Sequence, residues 1–155
     1  MPETDLAAAM MGLHDDLAQT FFRHQRALLD RDFARAAHEL ATYREHLVAH
    51  AADEESLVLP RYEALGGDAS DAPVRLFLGE HRNLKAFLDE FVARVAQLAK
   101  APDDGALLEL LDREATFKNL VLHHDLRERN ALYPFLAARL AADQQAAILA
   151  ARRWR

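Results

Sequence analysis

The length, composition and charge of the chain exclude several classes of protein. It has 155 residues, 51% of them hydrophobic, which is the size of one ordinary domain with enough apolar side chains for a core. The absence of cysteine excludes disulfides and thiolate metal sites, so any metal must be held by nitrogen and oxygen. A net charge of -6 gives no long-range attraction for nucleic acid. We expect a single domain over residues 1–155, with no nucleic-acid partner.

The two ends of the chain carry little targeting information. The opening residues, MPETDLAAAMMG, lack the cationic start of a signal peptide, and no apolar run approaches the roughly 18 residues of a membrane span. We therefore expect a cytoplasmic protein with no membrane partner. The final residues, ARRWR, are basic, which suits a helix C-terminus, and we expect a solvated helix end there.

The composition favours helix throughout, because the chain has only 5 Gly and 5 Pro and is rich in Ala, Leu, Arg and Glu. The first helix is predicted over residues 5–29, where Leu and Phe recur at spacings of three and four, and it ends at the Asp-Arg-Asp of residues 30–32. The second is predicted from Phe33 to about Leu65. It ends at Gly66-Gly67, where a residue with positive φ is favoured.

The second half of the chain predicts two more long helices. One begins at Pro73 and continues to about Lys100, and the other begins in the aspartates of residues 103–104 and extends to about Arg139. Asp143 is a candidate N-cap for a short C-terminal helix within residues 143–155. Four long helices with short connections predict an all-α, up-down-up-down four-helix bundle over about residues 5–140, roughly 40 Å long.

One sequence motif occurs twice, on the second and the fourth predicted helix. Residues 50–60 read HAADEESLVLP and residues 124–134 read HDLRERNALYP, so each has a His, a Glu four residues later and a Pro six residues after the Glu. Residues four apart lie on one face of a helix, which pairs His50 with Glu54 and His124 with Glu128. We expect the prolines to kink or end their helices just beyond these pairs.

Counting from the predicted turns brings four histidines to one level of the bundle. Residues equally far from a turn lie side by side in an antiparallel hairpin, which places His14 opposite His50 and His81 opposite His124. The apolar residues near this level, predicted as core and secondarily as the lining of a dry ligand pocket, are Leu17, Phe21, Leu47, Leu84, Leu88 and Phe117.

Four imidazoles and two carboxylates in one layer predict a metal centre. Burying two glutamates without Lys or Arg partners costs several kcal/mol each, and a bound cation removes that cost. Neutral imidazole and carboxylate suit iron or manganese, and two carboxylates can bridge two such ions. The repeated motif is thus interpreted as the two halves of a dinuclear site.

These residues resemble the hemerythrin-like (HHE cation-binding) domains. The resemblance rests on His14, HAADE at 50–54, EHRNL at 80–84 and HDLRE at 124–128, and it extends over about residues 6–140. It implies a four-helix bundle with two iron ions joined by bridging carboxylates and a bridging oxide or hydroxide. Proteins of this kind bind or sense oxygen, or respond to iron, nitric oxide or peroxide. Carried over by position, the ligands are His14, His50, Glu54, His81, His124 and Glu128.

The chain departs from the oxygen carriers of that family at two positions. Lys85 stands where the carriers have a fifth histidine, which puts reversible oxygen carriage in doubt and favours a reactive or sensing centre. We expect the Lys85 amine to pair with a bridging or nearby carboxylate, such as Glu54 or Glu128, or to reach solvent at the surface of the bundle. The carriers also have an Asp five residues after the last histidine, so His123, five before Glu128, is a rival to His124.

The other histidines have plainer interpretations. His46 is four residues before His50 and is expected beside the site or exposed. His24 and His38 face each other across the first turn with no acid predicted at their level, so a position on the surface or at the end of the bundle is expected for both. Glu55 is expected to be solvated.

Four other functions remain open at this point. Iron storage or iron sensing uses the same ligands. A ferritin-like oxidase is disfavoured, because no histidine has an acid three residues before it. A histidine phosphotransfer domain is a helical bundle with an exposed phospho-acceptor, a role for which His81 followed by Lys85 is a weak candidate. A metal-free helical adaptor is the remaining alternative.

Overall fold

The computed structural model describes residues 5–154, so residues 1–4 and Arg155, the last residue of the basic tail, lie outside the described part. Within it every regular element is helical, which confirms the all-α prediction. The α-helices are α1 Leu6–Leu29, α2 Phe33–Asp53, α3 Leu59–Ala64, α4 Val74–Lys100, α5 Asp104–Arg127, α6 Tyr133–Ala137 and α7 Ala142–Ala151. Two π-helical turns, Glu54–Val58 and Glu128–Leu132, connect α2 to α3 and α5 to α6, and a short 3₁₀ turn spans Gly67–Ala69.

The predicted ends of the long helices are confirmed where a specific residue sets them. Asp32 caps α2 by accepting a hydrogen bond from the backbone N–H of Arg35, and Asp103 caps α5 in the same way through Ala106. Gly66, which follows α3, has a φ of 92°, the left-handed conformation that Gly adopts without strain. These capping residues determine where the turns lie, and the position of each histidine along the bundle was predicted by counting residues from those turns.

The second and fourth predicted helices are not continuous, because each contains a π-helical turn that begins at a glutamate. The N–H of Leu59 bonds to the carbonyl of Glu54, and the N–H of Tyr133 bonds to that of Glu128. Pro60 and Pro134 follow directly. A proline has no N–H and its ring collides with the carbonyl four residues earlier in a regular α-helix, and the wider turn relieves that collision. The repeated proline therefore explains a repeated backbone feature at the two glutamates.

The short C-terminal helix is confirmed, but its predicted cap is not. The helix α7 begins after Ala141, whose N–H donates to the side-chain oxygen of Gln144 at 2.9 Å. Asp143 lies inside the first turn, where its negative charge faces the positive end of the helix dipole. The cap was wrong because the helix begins two residues earlier than expected, where the side chain of Gln144 accepts from the backbone N–H of Ala141.

The long helices pack in chain order around a common axis. Helix α1 packs on α2, α2 on α4 and α4 on α5, while α1 and α5 meet less closely. This is the expected up-down-up-down order, with α3 and α6 extending the second and fourth arms. None of the described helices has the length and apolar content that a membrane crossing requires.

The core consists of two apolar clusters with a polar layer between them. One cluster contains Leu17, Phe21, Leu47, Leu84 and Phe117, and the other is formed by residues nearer the opposite end of the bundle. The second includes Leu13, Val58, Phe77 and Leu132. Each of the four long helical segments contributes residues to both clusters, and its predicted ligand residues lie between them. The polar layer is therefore located at the boundary of the two clusters.

His24 is not at the surface, contrary to the sequence-based expectation. It is fully buried, and its Nδ1–H donates to the carbonyl of Ala36 at 2.8 Å. Its Nε2 lies 2.8 Å from a carboxylate oxygen of Glu114, which is also fully buried and accepts from Gln25. The surface position and the lack of an acid at this level were wrong, because the expectation considered only the hairpin of α1 and α2, whereas the acid is contributed by α5. The alternative of a position towards the end of the bundle is not contradicted, since α1 ends five residues later at Leu29. His38 is exposed, as expected.

The His24–Glu114 pair yields a stability prediction. Replacing His24 with Ala leaves Glu114 buried without its partner, and we expect the free energy of unfolding to fall by about 3–5 kcal/mol. His38→Ala, at an exposed position, is the matched control and should change the unfolding free energy by less than about 0.5 kcal/mol. Urea denaturation measures both.

A double variant separates pairing from packing. With His24→Leu and Glu114→Leu together, no charge remains buried, so the loss should be smaller than in His24→Ala alone. A loss for His24→Ala no greater than that for His38→Ala would contradict the assignment.

Candidate metal centre

The six side chains singled out by the sequence meet in one buried layer. His14 comes from α1, His50 from α2, His81 from α4 and His124 from α5, while Glu54 and Glu128 open the two π-helical turns. Each of the six is at most 7% exposed, and both glutamates are fully buried. The counting from the turns therefore placed all six at the right level.

These side chains form two groups that share their carboxylates. One group is His14, His50, Glu54 and Glu128, and the other is Glu54, His81, His124 and Glu128. In each group one nitrogen or oxygen atom per residue lies within 4.8 Å of every other, the spread expected of ligands around one cation. Two histidines belong to each group, and both glutamates belong to both, so the arrangement has two equivalent halves.

Contacts between the ligand atoms are short. Glu128 places one carboxylate oxygen 3.0 Å from His14 Nε2 and the other 2.6 Å from His124 Nε2. Glu54 lies 2.6 Å from His50 Nε2, which is itself 2.9 Å from His14 Nε2. Imidazole nitrogens and carboxylate oxygens thus converge on the same small volume from four helices.

The donor atoms lack the protein partners that buried polar groups need. No hydrogen bond of regular geometry reaches either carboxylate oxygen of Glu54 or Glu128, or His81 Nε2, among residues 5–154. Within that range neither glutamate forms an ion pair with Lys or Arg. Unpaired buried carboxylates are costly, and a cation between them satisfies the oxygens and the histidine nitrogens together. The donor set of four imidazoles and two carboxylates therefore fits two metal ions such as iron or manganese.

The charges of the metal-free layer follow from its burial. Burial alone lowers the pKa of a histidine, but Glu128 outweighs this effect and raises the pKa of His14 to about 9. The pKa of His124 rises to about 11, again because Glu128 and its other carboxylate neighbours outweigh burial. In turn, the two imidazoliums hold the pKa of the Glu128 carboxyl well below its usual range despite its burial. Protons thus occupy the layer when metal is absent, and metal ions must displace them.

Three acids lie beside the outer ring nitrogens of the histidines, and Glu55 is the one among them that forms a hydrogen bond of regular geometry. Asp125 lies 3.2 Å from His14 Nδ1, and Glu80 lies 3.6 Å from His124 Nδ1. Glu55, expected to be solvated, lies 2.9 Å from His81 Nδ1. A carboxylate on the outer nitrogen fixes the ring and leaves the inner nitrogen for a metal. The available signal was an acid next to a ligand, in EH at 80–81, HD at 124–125 and EE at 54–55.

Lys85 does not reach the two shared glutamates. Its amine is 3.9 Å from Glu55, and about a third of its side chain is exposed. The amine therefore lies beside a nearby carboxylate, as one of the expected alternatives has it, but that carboxylate is Glu55 and neither shared glutamate. Glu55 stands on the outer side of His81, so Lys85 meets the layer only through this carboxylate.

The two remaining histidines near the layer occupy different environments. His123 is exposed, whereas His124 beside it is 5% exposed and lies in the layer, so the geometry favours His124 over its rival. His46 is half-buried, and its ring stacks on Trp154 with the ring centres 4.9 Å apart. His81 is 2% exposed, which is incompatible with the exposed phospho-acceptor of a phosphotransfer domain.

Tyr133 is a buried polar residue that the sequence analysis did not single out. It directly follows the second π-helical turn and is 1% exposed. The corresponding position after the first π-helical turn is occupied by Leu59. Burial and then the charges of Glu54 and Glu128 raise the pKa of Tyr133 well above its usual range. Its hydroxyl is thus a neutral donor held beside the two shared carboxylates, on one side of the layer only.

The C-terminal tail is packed against the layer, whereas a solvated helix end was expected. The backbone N–H groups of Arg153 and Trp154 donate to the carboxylate of Asp53 at 3.0–3.1 Å, and Asp53 is 2% exposed. The Trp154 ring also meets the edge of His50, at 5.8 Å between ring centres. The expectation was wrong because the buried carboxylate of Asp53 needs donors and the tail supplies them.

Removal of the tail tests this anchor. A chain that ends at Arg152 leaves Asp53 buried without its N–H donors, and we expect the unfolding free energy to fall by about 3 kcal/mol. Arg153→Ala is the matched control, because it keeps the backbone N–H and removes only an exposed side chain. Urea denaturation of the two variants and the full chain measures the difference. Equal stability of the shortened and full chains would contradict the anchor.

A pocket adjoins the layer on the side opposite Tyr133. It has a volume of about 350 Å³ and is reached between α1 and α5, where these helices meet less closely. All four histidines of the layer contribute to its inner end, and Leu17, Phe21, Leu47, Leu84 and Phe117 form much of its wall. Five of the six residues expected as pocket lining thus line it, while Leu88 belongs to the core alone.

Comparison with known proteins gave one match. The family model of the hemerythrin HHE cation binding domain matches residues 5–150, which is nearly the whole chain. No curated protein and no solved structure matched the chain.

Proposed function

The chain belongs to the family of hemerythrin HHE cation-binding domains, and on that premise we propose that it holds two iron ions and reacts with dioxygen, nitric oxide or peroxide. The observation that carries the proposal is the sharing of Glu54 and Glu128 by the two groups of possible ligands. Carboxylates that belong to both groups suit two neighbouring ions better than two separate sites.

Each residue of the layer has a role in the proposal. His14 and His50 would hold one ion, His81 and His124 would hold the other, and Glu54 and Glu128 would be shared by both. The unpaired carboxylate oxygens and the unpaired His81 Nε2 support this assignment, because a cation is the partner that they lack. Glu55 holds His81 in place from the outer side, and Asp125 and Glu80 lie beside the outer nitrogens of His14 and His124.

Reaction with a small ligand is favoured over reversible carriage. Two histidines per ion leave room for a further ligand at each ion, and no fifth histidine stands at the position of Lys85. Two ferrous ions, when bound, would supply electrons to an oxygen-derived ligand. The protein side chains contribute access through the apolar pocket, exclusion of water by the two apolar clusters, and the Tyr133 hydroxyl as a hydrogen-bond donor near the carboxylates.

Metal content is the first test. We expect two iron ions per chain in protein produced with ample iron, and we expect His124→Ala to lose most of the metal and to melt at a lower temperature, because metal binding is coupled to folding. His123→Ala is the matched control at the next position, where the side chain is exposed, and it should keep both ions. Elemental analysis and thermal unfolding measure the two effects.

Two outcomes would contradict the assignment of the centre. A single tightly bound zinc ion and no iron would exclude a di-iron site. A greater loss of metal from His123→Ala than from His124→Ala would show that the rival histidine is the ligand.

The reaction is tested on the reduced, iron-loaded protein under anaerobic conditions. We expect dioxygen, nitric oxide or hydrogen peroxide to change the ultraviolet and visible spectrum in proportion to the bound iron. After dioxygen has been added and removed under argon, the spectrum of the reduced protein should not return, because the centre has reacted. A fully restored spectrum would identify a carrier, and a spectrum that responds to none of the three would reject the proposal. Glu54→Ala, at equal protein concentration, controls for effects outside the centre.

A further inference from the structure

The pocket beside the metal layer is larger than any of the three small ligands requires. Its volume is about 350 Å³, which includes the inner end between the four histidines where metal ions would lie. A water molecule occupies about 30 Å³ of the liquid, so the pocket is still several times larger than one molecule of that size. Pockets of this volume are typical of small organic ligands. Access for dioxygen, nitric oxide or peroxide alone does not explain such a space.

The wall of the pocket favours an apolar occupant. Phe21, Leu47 and Phe117 form its middle part, between the histidines of the layer and the outer end. Water in an apolar pocket finds few hydrogen-bond partners, so its replacement by an apolar group is favourable. At the outer end, Gln25 and Lys118 are hydrogen bonded to each other at 3.2 Å. Lys118 is exposed at this rim, and the middle of the pocket has no charged side chain that could pair with a charged ligand, which favours a neutral occupant there.

Tyr43 supplies the second observation, which concerns hydrogen bonding. It lines the pocket and is 2% exposed, with its ring packed 5.0 Å from Phe21 and 5.9 Å from Phe117. Its hydroxyl forms no hydrogen bond among residues 5–154, and it is open to the pocket because it is not one of the fully enclosed polar atoms. An oxygen atom of a ligand in the pocket can accept the bond that the protein leaves open.

We propose that this pocket binds a neutral apolar organic molecule that carries one oxygen-containing group, the class that includes alcohols and alkyl hydroperoxides. The apolar part lies against Phe21, Leu47 and Phe117, and the oxygen accepts a hydrogen bond from Tyr43. The inner end of the molecule then faces the four histidines. The inference rests on the proposed function only in one respect, the presence of metal ions at that inner end. Binding of the ligand itself is measured both with and without metal.

The test compares two probes that differ in one hydroxyl, 2-phenylpropan-2-ol and isopropylbenzene. Calorimetric titration of both metal-free and iron-loaded protein should show saturable binding, with the alcohol bound about five- to tenfold more tightly because Tyr43 donates to it. Tyr43→Phe keeps the ring packing and removes the donor. In this variant the preference for the alcohol should disappear while the hydrocarbon still binds.

A second pair of variants locates the binding. Ala18→Trp introduces a large side chain at a pocket-lining position and should abolish binding of both probes. Ala8→Trp, at an exposed position elsewhere on α1, is the matched control and should bind as the unchanged chain does. Thermal unfolding and metal content verify that each variant is folded and loaded.

The outcomes distinguish this inference from the proposed function. Absence of binding to the unchanged protein, equal binding by Ala18→Trp, or an alcohol preference that survives in Tyr43→Phe would each overturn the inference and leave the metal assignment standing. Binding of the alcohol together with a failure to take up iron when iron is supplied would support the pocket and reject the di-iron proposal.

Discussion

The structure depends on two fully buried glutamates, Glu54 and Glu128, that two groups of histidines share. Their carboxylates have no Lys or Arg partner among residues 5–154, and the four histidines around them come from four different helices. This polar layer crosses the bundle between two apolar clusters, so every long helix must keep its register at that level. A shift of one helix by a single turn would place an apolar side chain among the carboxylates and a histidine in the apolar core.

The backbone is adapted to the same requirement. Each glutamate begins a π-helical turn, and a proline follows six residues later, where a regular α-helix would be strained. The two halves of the layer are therefore similar in backbone as well as in ligands. They differ in what surrounds them, because Tyr133 occupies the position that corresponds to Leu59, and the tail with Trp154 covers only the side of His50. Such differences allow two similar halves to meet a ligand differently.

Outside the layer, buried charged side chains have hydrogen-bond partners. His24 and Glu114 pair within the apolar cluster below the centre, and Asp53 is held by the backbone of the C-terminal tail. These contacts join segments that are far apart in sequence, and they close the bundle around a pocket that opens beside α1 and α5. The pocket and the metal layer share the four histidines, so whatever enters the pocket lies against the centre. Access and chemistry are thus properties of one continuous region.

The sequence by itself determined the helical class, the turns and the level of the six ligand candidates. These follow from local rules: caps at Asp32 and Asp103, a left-handed residue at Gly66, and the fixed rise of a helix between a turn and a histidine. The tertiary structure decided the features that depend on which helices are neighbours across the bundle. Glu114, from another hairpin, contacts His24, and the C-terminal tail donates to Asp53 from about a hundred residues away. Glu55 lies between Lys85 and the layer. A helical period fixes which face a side chain occupies, but the partner on that face is set only when all the helices pack together.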